Sequence, residues 1–120
     1  MGNVHLLTAG YAPVDLDHLE AIYRRVGLSL VMHGGTSFPP QAVPRAIAGG
    51  VAKFNVGTIL KKTYLEILRA QVVTWPERVD PHQVLGSHRQ TDLLNAGKTA
   101  MTEQVRRLIR LYGGNGRARD

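Results

Sequence analysis

The chain has 120 residues, no cysteine, 43% hydrophobic residues and thirteen glycines, a composition that fits one soluble globular unit with a modest core and is too short for two full domains. Zero cysteines exclude a disulfide framework and any thiolate metal site and are compatible with a cytoplasmic protein, so a metal would have to use histidine or carboxylate. No apolar run approaches the ~20 residues of a membrane span, and Met1 to His5 lack the basic region and apolar stretch of a secretory signal.

Fifteen Lys and Arg against nine Asp and Glu give a net charge of +6. Five of the basic residues, Arg106, Arg107, Arg110, Arg117 and Arg119, sit at the C-terminal end, where arginines complement the negative end of a helix or are solvated in a Gly-rich tail. With no aromatic interleaving and no zinc-knuckle or RRM-like signature, the charge does not point to nucleic acid.

In chain order, Asp15 to Val26 carries Leu16, Leu19, Ile22, Tyr23 and Val26 at helical spacing, acidic residues first and Arg24-Arg25 last, and Gly27 stops it. Leu28 to Met32 is a short apolar run, which predicts a strand buried on both faces. It breaks off at His33-Gly34-Gly35-Thr36-Ser37. Pro39 and Pro40 suit the start of a short helix running to Ala48, closed by Gly49-Gly50. Val51 to Val56 predicts a second buried strand. Ile59 to Val73 predicts a helix with Leu60, Tyr64, Ile67 and Leu68 on one stripe. Trp75 to Pro81 is a loop. Asp92 to Leu111 predicts a long helix through Leu94, Met101, Val105 and Leu108 to Tyr112. Beyond residue 112 a flexible basic tail is expected over 113–120. Strand and helix alternating with short connections makes the class α/β, with parallel strands joined by right-handed crossovers.

Chemistry in such folds lies at the C-terminal ends of strands. Three polar clusters occupy those positions: Asn3-Val4-His5, His33 to Ser37, and Asn55-Val56-Gly57-Thr58. Glycines after a strand let backbone amides approach an anion, the following helix N-terminus favours it, and Thr36, Ser37 and Thr58 add hydroxyls. A phosphate between the second and third clusters satisfies this pattern; tight turns alone would also use Gly34, Gly35 and Gly57. His5 and His33, each closing a strand-like segment, are the metal candidates, although buried, hydrogen-bonded histidines also occur at such places. His18 is expected on an exposed helix face, and His82 and His88 in a polar connection. No Ser-His-Asp arrangement, nucleotide P-loop or paired-carboxylate signature is present.

At these clusters the sequence resembles the class II, zinc-dependent ketose-bisphosphate aldolases. Gly2-Asn3-Val4-His5 is similar to the family's GNVHG segment, Leu30 to Thr36 to its LVLHGGSG segment, and Lys53 to Thr58 to its KVNVDT or KxNxxT segment. Asp80-Pro81 and the late helix ending Arg110-Leu111-Tyr112-Gly113-Gly114 also match its C-terminal pattern. The resemblance implies the C-terminal portion of a (β/α)8 TIM barrel: the end of strand 6, βα units 7 and 8, and the terminal helix, all within residues 1–112. It implies that His5 and His33 are two of three zinc-ligand histidines. It implies that Gly34, Gly35, Thr36 and Ser37, with Asn55, Val56, Gly57 and Thr58, hold a phosphate of a sugar-bisphosphate substrate, with Asn55 near the reacting triose and a monovalent cation close by. The implied reaction is Lewis-acid cleavage of a ketose 1,6-bisphosphate to dihydroxyacetone phosphate and glyceraldehyde 3-phosphate.

The sequence departs from the family pattern at three positions. Leu6 stands where glycine is usual, Ser37 replaces the second glycine of HGGSG, and Gly57 replaces the aspartate of NVDT. A complete barrel takes roughly 250 residues. The third zinc histidine and the catalytic aspartate belong to the portion that the resemblance does not cover. None of the present residues is therefore assigned as catalytic, and the chain by itself is expected to be inactive. A companion N-terminal half or self-association would supply cover for its strands; the alternative expectation is an inactive phosphate-binding or oligomerising remnant.

Overall fold

The computed structural model describes residues 10–117. They fall into two compact units, one running to Thr58 and resuming at Leu111, the other from Ile59 to Arg110.

The first unit opens with α1, Leu16–Val26. The Asp15 carboxylate caps it by accepting the His18 amide at 2.8 Å. Gly27, at φ 67°, ends it in a left-handed conformation and donates its N–H to Tyr23 O at 2.9 Å. Strand β1, Leu30–Met32, leads into a 3-10 turn at Gly35–Ser37. A second such turn, Pro40–Ala42, runs directly into α2, Val43–Ala48, and β2 follows as Val51–Phe54. The two strands pair in parallel, and the αβ alternation read from the sequence is thereby realised.

Leu30 faces Val51, but Val31 faces Lys53 and Met32 faces Phe54, so Ala52 is an extra residue in β2. Val51 is buried, Ala52 and Lys53 are exposed, and Phe54 is half-buried. The core gathers Leu19 of α1, Met32, Phe38, Val43 and Ala46 of α2, and Val51. Each large side chain there contributes about 1.5–3 kcal/mol through removal from water. Phe54 packs against this core, edge-on to Phe38 (centroids 5.3 Å apart) and stacked on Tyr112 at 4.5 Å with the planes 3° apart.

The strands differ from expectation in two respects. Leu28 is 68% exposed and lies outside β1. Burial is also one-sided among the described residues: Met32 is inside while Val31 is exposed, because α1 and α2 cover one face of the pair.

Helix α3 is Thr58–Val72, in the second unit from Ile59 onward, and its half-buried stripe of Leu60, Tyr64, Ile67 and Leu68 is the one the spacing predicts. A short helix α4, Pro81–Val84, was not anticipated; Asp80 caps it through the His82 amide and proline occupies its first turn. The long α5, Leu93–Leu111, follows. Its covered side runs through Leu93, Gly97, Met101, Gln104 and Leu108, whereas Leu94 and Val105 are exposed. Gly97 fixes this orientation: a Cβ there would stand 2.3 Å from the Tyr64 ring, so only glycine lets the helix lie against that tyrosine.

Candidate functional site

The end of β1 delivers His33, and the end of β2 delivers Asn55. Backbone hydrogen bonds lock these ends together. The Asn55 amide donates to Met32 O at 2.8 Å, and the Asn55 carbonyl accepts the Gly35 amide at 3.0 Å. Asn55 is thus held on both sides of His33. Its side-chain Nδ2 lies 3.4 Å from His33 Nδ1, with the imidazole itself exposed at the rim.

The loop after His33 is braced internally. Gly34 sits at φ 69°, a left-handed position that favours glycine. The Ser37 amide and hydroxyl both donate to Gly34 O at 3.1 Å, and the Phe38 amide donates to Gly35 O at 3.3 Å. Gly35 is required for a different reason: a Cβ would lie 2.9 Å from both Asn55 O and Val56 Cγ2. Of the amides expected to face an anion, those of Gly35, Ser37 and Asn55 are therefore engaged within the protein, and so is the Ser37 hydroxyl. Gly57 has open space around it, and Thr58 begins α3.

The rim has a charge signature that the motif reading passed over. Residues 21–65, which include both loops, contain no Asp or Glu and six Lys or Arg. No carboxylate from this stretch opposes an anion at the rim. The signal was available in the sequence as a gap between Glu20 and Glu66.

His33, Gly34, Gly35, Thr36, Ser37, Asn55, Val56, Gly57 and Thr58 all lie within the first unit, and the strand ends bring the two loops side by side. His5 and its Asn3-Val4 neighbours lie outside the described residues. A catalytic zinc takes three protein ligands. Among the described residues His33 is a suitable nitrogen donor, but no three His, Asp or Glu side chains converge. A full ligand set would need His5 and a further group. His18, His82 and His88 are exposed; the His82 and His88 amides serve helix-capping carboxylates. No helix among the described residues is long and apolar enough to cross a membrane.

A family model for fructose-bisphosphate aldolase class-II matches residues 1–117. Among solved structures, the YdjI aldolase from Escherichia coli K12 is similar at a TM-score of 0.70 and 20% identity, over 90% of this chain and 37% of that one. The fructose-bisphosphate aldolase of Campylobacter jejuni is similar at a TM-score of 0.62 and 16% identity, over 93% of this chain and 38% of that one. At such identities the likeness shows the fold, and the chain spans little more than a third of the length of these aldolases. Through the family match over nearly its whole length, this chain belongs to the class II fructose-bisphosphate aldolase family.

Proposed function

We propose that this chain forms the phosphate-binding rim of a class II aldolase and corresponds to the C-terminal portion of a (β/α)8 barrel. The observation that carries the reading is the locking of the two loops by the Asn55 backbone, which holds the loop after His33 beside the loop that begins at Asn55. The acid-free stretch around them favours an anion there. A phosphate of a sugar bisphosphate is the ligand that suits this surface, held by backbone amides and by the Thr36 and Thr58 hydroxyls. Gly57 leaves room beside it.

In this reading His33 and His5 are two imidazole donors for a zinc ion whose remaining ligand lies outside these 120 residues. A zinc ion supplies Lewis-acid polarisation of a ketone oxygen. This chain's own contribution is to fix the phosphate end of the substrate and to hold the His33 ring. Cleavage of a ketose 1,6-bisphosphate then requires the barrel portion that these residues do not span, whether supplied by a companion segment or by another copy.

The test is a titration of the 120-residue chain with inorganic phosphate, followed by amide NMR. Saturable shifts at Gly34, Thr36, Gly57 and Thr58, weakened in Thr58→Val, are expected. Shifts scattered over the arginines of α5, without saturation at the rim, would overturn the reading.

A further inference from the structure

We infer that a groove along α5 is a docking site for an acidic amphipathic helix of a partner protein. The groove lies wholly within the second unit and has a volume of about 480 Å3. Leu94, Met101 and Val105 of α5 line it together with Tyr64 of α3, and so do Lys98 and Arg106. Leu94 is 51% exposed and Val105 37%, so the apolar stripe of α5 continues past the side that its own unit covers.

Spacing and charge identify the occupant. Leu94, Met101 and Val105 stand at i, i+7 and i+11, a repeat by which one helix receives the apolar stripe of another. Lys98 and Arg106 are separated by roughly 12 Å along the helix axis. Glutamates about two turns apart on a docked helix would meet both cations, whereas a fatty anion has one charged end and would meet one. No Asp or Glu lines the groove. Among the described residues no carboxylate pairs with Lys98, and Arg106 holds Glu103 through Nη1 while keeping further donors. Residues 59–110 carry nine Lys and Arg against five Asp and Glu. A second copy would bring like charges against this surface, so charge complementarity selects an acidic partner over self-association. The inference does not rest on phosphate binding at the rim.

The probe is a fluorescein-labelled, helix-forming peptide of about four turns, with leucines on one stripe and glutamates flanking it. A control peptide carries lysine in place of each glutamate. Fluorescence anisotropy with the full chain should show saturable binding of the glutamate peptide and much weaker binding of the lysine peptide. Lys98→Glu and Val105→Asp, both at exposed positions, should each weaken binding about tenfold. Arg78→Glu, in the exposed loop before α4, should leave it unchanged. Lys98→Glu combined with Arg106→Glu should reverse the preference in favour of the lysine peptide. Circular dichroism melts establish that each variant is folded. Equal binding of the two peptides, or binding that survives Val105→Asp, would overturn the inference. So would decanoate binding in the groove without peptide binding. A dimer seen by light scattering and dispersed by Val105→Asp would also overturn it, since a second copy would then fill the groove. Failure of the phosphate titration would leave it intact.

Discussion

The carbonyl of Asn55 accepts the amide proton of Gly35 at 3.0 Å, and a Cβ on residue 35 would stand 2.9 Å from that same oxygen. The hydrogen bond that joins the two rim loops therefore exists only because residue 35 has no side chain. Gly35→Ala should push the loops apart and destabilise the chain by about 1–3 kcal/mol. Gly57→Ala, whose Cβ meets nothing within 4 Å, should stay within about 0.5 kcal/mol of the parent. Urea midpoints of the two variants check the contrast, and equal midpoints would refute it.

Tyr112 stacks on Phe54 and closes the core of the first unit. Tyr112→Ala should cost about 2–4 kcal/mol through lost burial and stacking, while Tyr112→Phe should keep most of the stability. Burial pushes the Tyr112 phenol above its ordinary value. The unfolded chain then releases this proton first, so the contribution is fully present below about pH 10 and declines as pH rises through the folded value. Denaturation of the parent and Tyr112→Phe across that range should show the parent losing stability faster.

Asp92 is buried at the start of α5, where its carboxylate accepts the amides of His88 at 2.7 Å and Leu94 at 2.9 Å. The His88 amide above all, with those of Asn95, Leu94 and Gly86, holds the carboxyl below its usual range against the opposing effect of desolvation. A lowered folded value means that the stabilisation is present above the unfolded value of about 3.9 and is lost as pH falls below it towards the folded one. Asp92→Asn should unfold at lower temperature than the parent near neutral pH. The gap should close on acidification below about pH 4, which thermal melts at a series of pH values would reveal.

Gly97→Ala improves helix propensity by about 1 kcal/mol, but its Cβ would meet the Tyr64 ring at 2.3 Å. Overpacking of about 1–3 kcal/mol should win, so the variant should be destabilised. Combining it with Tyr64→Leu should recover part of the loss, because residues in contact are not additive. Strict additivity in that double-mutant cycle would show that the two side chains do not meet.

The sequence specified the helices well where a cap and a stripe agreed: Asp15 and Gly27 bound α1, and the α3 stripe is the covered one. It was less informative on which side of α5 turns inward. The apolar stripe placed Met101 and Leu108 correctly on the covered side but included the exposed Leu94 and Val105, and it passed over Gly97, whose small size matters only once Tyr64 lies across from it. Apolar runs predicted longer strands than form, since Leu28 and Val56 lie beyond the paired residues. The rim residues were legible as motifs, yet the division of labour among them was not. That Gly35 packs while Asn55 reaches His33 depends on contacts between residues twenty or more positions apart.

Ala52 gives β2 a spare place in its count. If the strand were straightened without losing a residue, Met32 would meet Lys53, an ammonium group would turn towards the core, and Phe54 would move beside His33 in place of Asn55. If Ala52 were deleted, the pairs Val31–Lys53 and Met32–Phe54 would survive with each side chain on its present face. Deletion of Ala52 should therefore leave the rim in place, whereas a slip of the same size should disrupt it.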